Sequence, residues 1–101
     1  MTAYQITYWN QIPAMVTAKS GRRDRAKVEL SPRFAAAIDE LAMRLGVTGT
    51  DAYLEGWRKD EWLERDGAPP DVAAAVAVEL EREFPPARIR AILDDARASN
   101  S

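Results

Sequence analysis

Cysteine and histidine are both absent from the 101 residues. Without cysteine there is no disulfide scaffold, no thiol nucleophile, no thiolate zinc site and no iron–sulfur cluster. Without histidine the commonest general base and the commonest metal ligand are missing too. A strong charge of one sign is also lacking. The net charge is -2, which argues against DNA binding carried by bulk charge. Long apolar runs are missing as well. The longest, Val72 to Val78, is rich in alanine and flanked by Asp71 and Glu79. It falls far short of the roughly 18 residues a spanning helix needs and reads as one helix face. The first ten residues carry no basic region, apolar stretch or small-residue cleavage site, so no secretory signal is expected. Together these absences predict a cytoplasmic protein with no membrane segment, no metal and no cofactor.

What is present is enough to fold. Hydrophobic residues make up 47 % and charged residues 30 %, a balance that favours a packed core over disorder. The length suits a single domain spanning 1–101.

The N-terminal third alternates with period two. Tyr4, Ile6 and Tyr8 interleave with Ala3, Gln5, Thr7 and Trp9, which predicts a strand over 3–10. Pro13 cannot donate to a ladder and is expected in the connection. Residues 14–19 form a second strand. Ser20-Gly21 starts a turn, residues 22–25 form an exposed hairpin tip, and residues 26–30 form a third strand.

The period then changes. Ser31-Pro32 reads as an N-cap followed by proline at the first helical position. Phe34, Ile38, Leu41 and Leu45 recur at helical spacing, and Gly46 follows, so a helix is predicted over 32–45, ended by a left-handed glycine. Thr48 to Asp51 resembles a second cap, opening a short helix from about Asp51 to Gly56 that buries Tyr53 and Leu54. Residues 57–65 fit either a continuing charged helix or a fourth strand presenting Trp57 or Trp62 to the core. The strand is preferred, because it gives the first hairpin a neighbour. Gly67 to Pro70 breaks the chain. A helix with Asp71 in its first turn buries Val72, Val76 and Leu80 and stops at Pro85-Pro86. A last helix over 87–98 sets Ile89, Ile92, Leu93 and Ala96 on one side, and residues 98–101 are expected to fray. The fold class is α+β: a small antiparallel sheet of three or four strands, packed on one face by three or four helices.

No constellation for catalysis emerges. The acidic groups Asp39-Glu40, Asp60-Glu61, Asp94-Asp95 and Glu79/Glu81/Glu83 read as a solvated, salt-bridged surface. The serines have no histidine to activate them, and no phosphate loop or dinucleotide fingerprint occurs. The candidate residues are therefore ones that bind. Lys19, Arg22, Arg23, Arg25 and Lys27 fall within nine positions, interrupted only by Asp24. On a hairpin they could grip phosphate, RNA backbone or an acidic protein surface. The plainer alternative is a solvated loop that blunts edge pairing. Tyr8 and Trp9 point to opposite sides of a strand, so one of them lies off the helix-packed face and could anchor a protein contact.

Three ordered segments carry a resemblance. They are Tyr4 to Trp9 with Ile12-Pro13, Lys27 to Asp39, and Thr50 to Trp57. Together they resemble the small bacterial "virulence factor" domain family over about residues 3–80. The family takes its name from a larger conserved virulence factor containing such a domain. The resemblance supplies no catalytic residues. It implies a gene neighbourhood of folate and cobalamin one-carbon metabolism, including methylenetetrahydrofolate reductase and split methionine synthase. The expectation is thus a non-catalytic accessory or protein-interaction domain. Its partner would be a cytoplasmic one-carbon methyltransferase or reductase subunit. The alternative is a nucleic-acid or phosphate-ligand module using the Arg22–Arg25 loop.

Overall fold

The structure, a computed structural model, describes residues 1–47 and 49–99, the side chains of residues 97–99 excepted. The alternation at the N-terminus becomes a meander of three strands: β1 (Thr2–Trp9), β2 (Ile12–Ser20) and β3 (Asp24–Glu29). Helices α1 (Pro32–Arg44) and α2 (Thr50–Glu55) follow. Two short strands come next, β4 (Trp57–Lys59) and β5 (Leu63–Arg65), then α3 (Pro69–Glu83) and α4 (Pro86–Ser99). The sheet is antiparallel throughout and ordered β3-β2-β1-β4, with β5 also pairing β1. This is the expected α+β arrangement.

Residues 57–65 do return along β1, but as two strands rather than one. Trp57, Arg58 and Lys59 pair with Trp9, Tyr8 and Thr7. Leu63, Glu64 and Arg65 pair with Tyr4, Ala3 and Thr2. Between them the Asp60 N–H donates to the Ile6 carbonyl at 3.1 Å, and Gln5 Nε2 donates to the Asp60 carbonyl at 2.9 Å. That interruption leaves Trp62 40 % exposed, while Trp57 packs against the core.

Pro13 lies inside β2, not in the connection. It pairs with Tyr8 beside a bulge that leaves Ala14 without a partner on β1. A bulge is one of the few places a sheet accepts proline. The hairpin tip is shorter than expected, because Asp24 and Arg25 belong to β3.

Paired residues share a sheet face, as do residues two apart. Thr2, Tyr4, Ile6 and Tyr8 therefore share a face with Val16, Ala18 and Val28. Helix α3 crosses this face against β1, β2 and β3, burying Val72, Ala73, Val76, Ala77 and Leu80. Helix α1 contributes Phe34, Ala37, Ile38, Leu41 and Ala42 to the same core and packs on α4 through the Ile89, Leu93 and Ala96 side.

The helix ends differ from expectation in an informative way. The α1 C-terminus follows the pattern, with Gly46 at φ 69°. The Gly46 N–H donates to the Met43 carbonyl and the Val47 N–H to the Ala42 carbonyl, the paired bonds of a Schellman stop. At the other end Ser31 does not cap α1 through its side chain. Its N–H and Oγ–H donate to the Glu81 carboxylate at 2.8 and 2.9 Å, and Arg33 Nη2 donates to the same group at 3.1 Å. Arg33 also reaches the Phe84 and Glu81 carbonyls, so one arginine ties the start of α1 to the end of α3. Burial pushes the Glu81 carboxyl up, but the Ser31 hydrogen bonds and the Arg33 charge outweigh it and hold the group below the usual carboxylate range.

Gly49 occupies the N-cap position of α2 without a side-chain bond, and Thr48 lies outside the described residues. Leu54 is 56 % exposed instead of buried, because α2 turns Tyr53 to the core. Of residues 98–101, expected to fray, 98 and 99 continue α4, and 100 and 101 lie outside the described residues.

Candidate functional site

The sheet face opposite α3 holds the sequence-predicted cations. On β3, Arg25 and Lys27 share this face with Glu29, and all three are exposed. The register sets Lys19 opposite Arg25, Thr17 opposite Lys27 and Met15 opposite Glu29. It continues through Ala3, Gln5 and Thr7 on β1 to Glu64 on β5 and Lys59 on β4. Arg22 and Arg23 sit exposed in the turn at the end of the ribbon. Gly21, at φ 69°, takes the left-handed conformation that starts this turn. Lys19, Arg25 and Lys27 therefore form a strand-borne patch, with Arg22 and Arg23 beyond it.

Two like charges directly opposite on a sheet are destabilising. Lys19 and Arg25 are such a pair. Part of the cost is offset by Trp62, whose ring centre lies 4.1 Å from the Lys19 ammonium, a cation–π contact worth about 0.5–1 kcal/mol at an exposed site. Trp62 is thus an aromatic group adjoining the cations. The sequence offered either Trp57 or Trp62 to the core; Trp57 takes that place and Trp62 stays at the surface. The signal was there in part: once 57–65 pairs with β1, a polar insertion between two short strands must hold Trp62 near the sheet surface.

Trp9 cannot serve as a surface anchor. It lies on the same face as the cations, since Trp9 is two residues beyond Thr7 and pairs with Trp57. However, α2 roofs that end of the face, and Trp9 is 0 % exposed. Its indole stacks on Tyr53 with centroids 5.3 Å apart, and Nε1–H donates to the Tyr53 carbonyl at 2.8 Å. Tyr53 meets Trp57 edge to face at 6.1 Å.

Tyr8 lies on the helix face, away from the cations. It is half-buried, with the Arg58 guanidinium 4.3 Å from its ring centre. Arg58 in turn donates to the Asp60 carboxylate at 2.9 Å and to the Asn10 carbonyl at 2.9 Å. Burial raises the Tyr8 phenol above its ordinary value, and the Asp60 charge adds to this while Arg58 opposes it. Tyr8 and the cations therefore cannot meet one flat partner surface together.

Among the described residues no group of three or more metal-ligating side chains converges, and no helix is long and apolar enough to cross a membrane. A family profile described as "Virulence factor" matches residues 7–93. No curated protein and no solved structure matches the chain.

Proposed function

Because the chain belongs to the Virulence factor family, whose description names no chemistry, we propose its role from the geometry: it is an interaction domain that docks through the open sheet face. The observation that carries this reading is the cross-strand pair Lys19 and Arg25 on the part of this face that α2 leaves open. A like-charge pair lowers stability, and such local losses concentrate at functional sites. An acidic protein surface laid on the face neutralises Lys19, Arg25 and Lys27 and covers Trp62. The cations steer the encounter, and the tryptophan supplies desolvated contact area. The turn cations Arg22 and Arg23 extend the footprint beyond the sheet.

For the partner class we follow the gene neighbourhood that the resemblance implies. The partner is a cytoplasmic subunit of the methionine synthase or methylenetetrahydrofolate reductase systems, with this chain as a non-catalytic accessory. The test is capture by the tagged chain from its native cytoplasm, washed at low and moderate salt, with proteins and nucleic acids both identified. The reading expects a stoichiometric methyltransferase or reductase subunit that survives moderate salt and is lost from the Arg25→Glu/Lys27→Glu variant. Equal capture by both forms contradicts it.

One observation favours a second reading. An exposed indole beside strand-borne cations is also what single-stranded nucleic acid uses, with bases stacking on the ring and phosphates on the cations. That reading expects RNA in the low-salt fraction and its steep loss as salt rises.

A further inference from the structure

A cavity of about 220 Å³ opens where α1, α2 and the bulged end of β2 meet. It is smaller than the roughly 300–1,000 Å³ of a cofactor or drug-sized site, so it suits a single side chain. Tyr53 and Trp57 line it, their rings at 84° to one another. Phe34, Ile38 and Met15 add apolar wall. Trp9 holds Tyr53 in place by stacking and by the bond to its carbonyl. Two acidic residues, Glu29 from β3 and Asp39 from α1, also line it. Neither has an ion-pair partner among the described residues, in contrast to Glu40, Asp60, Glu79, Glu81 and Asp94.

Perpendicular aromatic walls with carboxylates alongside are complementary to an alkylammonium group. The rings attract the cation through their quadrupoles, the carboxylates through charge, and the apolar wall takes the methylene stem. We infer that this cavity receives a lysine side chain of the docked partner. Glu29 belongs to both the cavity and the open face, so the two are contiguous. The partner surface is thereby specified further: acidic over the β2–β3 ribbon, with a lysine at the α1 end. Only the source of the lysine rests on the docking reading; the chemistry of the pocket stands without it.

The probe is Nα-acetyl-lysine N-methylamide, titrated into the isotope-labelled full chain and followed by the amide and indole resonances of Glu29, Asp39 and Trp57. The control is the norleucine amide, which keeps the alkyl stem and lacks the ammonium. The expected result is a saturable shift with the lysine amide at millimolar concentration and a response to norleucine weaker by about tenfold. The Glu29→Gln/Asp39→Asn variant, its fold checked by thermal unfolding, should lose that difference. An equal response to both amides makes the pocket merely apolar and overturns the inference. No response to either overturns it too. The titration uses no partner, so its failure leaves the docking face standing, and failure of the Arg25 and Lys27 reversal leaves the pocket standing.

Discussion

A Cβ on Gly56 would lie 2.5 Å from both Cε2 and Nε1 of Trp9. The glycine at the end of α2 is required by this close approach and not by its backbone, which is helical at φ -72°. The Gly56 carbonyl also accepts the Asn10 N–H at 2.9 Å, so the α2 end and the β1–β2 turn are joined beside the indole.

Gly56→Ala should therefore displace Trp9 or lift α2 from the sheet. The expected loss is about 1–3 kcal/mol, the usual result of overpacking a filled site. Denaturant unfolding followed by tryptophan emission measures it, and the near-ultraviolet dichroism of the Trp9–Tyr53 stack should weaken in the same variant.

The Ser31–Glu81–Arg33 latch predicts a defined pH dependence. The Glu81 carboxyl lies below its ordinary value of 4.5 in the folded state. Glu79, hydrogen-bonded by Arg65, is lowered as well. A carboxyl depressed by folding adds stability that is fully present above the unfolded value and is lost as pH falls through the folded one. Stability should thus hold at neutral pH and decline below about pH 4.5, the unfolded reference value. Glu81→Gln should cost about 1 kcal/mol at pH 7, at the low end for charged hydrogen bonds because both partners are one-third exposed. The acid decline should be shallower in this variant. Thermal unfolding across the acid range checks both points.

Trp62 should dominate the solvent-accessible tryptophan emission. Trp9 is fully buried and Trp57 packs on the core, whereas Trp62 is 40 % exposed. Trp62→Phe should remove most of the acrylamide-quenchable signal and change stability by less than about 1 kcal/mol, since only an exposed cation–π contact is altered.

Much of this architecture was legible in the residues. Period-two alternation placed β1, and the switch to helical spacing at Ser31-Pro32 placed α1, because both signals are local. Tyr8 and Trp9 were read as facing opposite ways, and they do. Which of them was buried could not be read, because the roof over Trp9 is α2, a six-residue helix that touches it across 44 positions of chain. The same holds for Ser31. Its sequence pattern is that of an N-cap, yet Glu81, fifty residues on, takes its hydroxyl. The cations were found as a cluster, but their division into turn residues Arg22 and Arg23 and face residues Lys19, Arg25 and Lys27 follows from register. Trp62 was read as a rival to Trp57 for the core; its place beside Lys19 instead depends on a break in strand pairing that no local pattern marks.

The docking account is tested most directly by Arg25→Glu, read for stability and for partner capture in the same preparation. The substitution replaces a like-charge pair with an opposite-charge pair across Lys19. The account predicts stability unchanged or raised by up to about 0.5 kcal/mol, together with loss of the partner captured by the unaltered chain. Retention of the partner, with stability unchanged or raised, would contradict it.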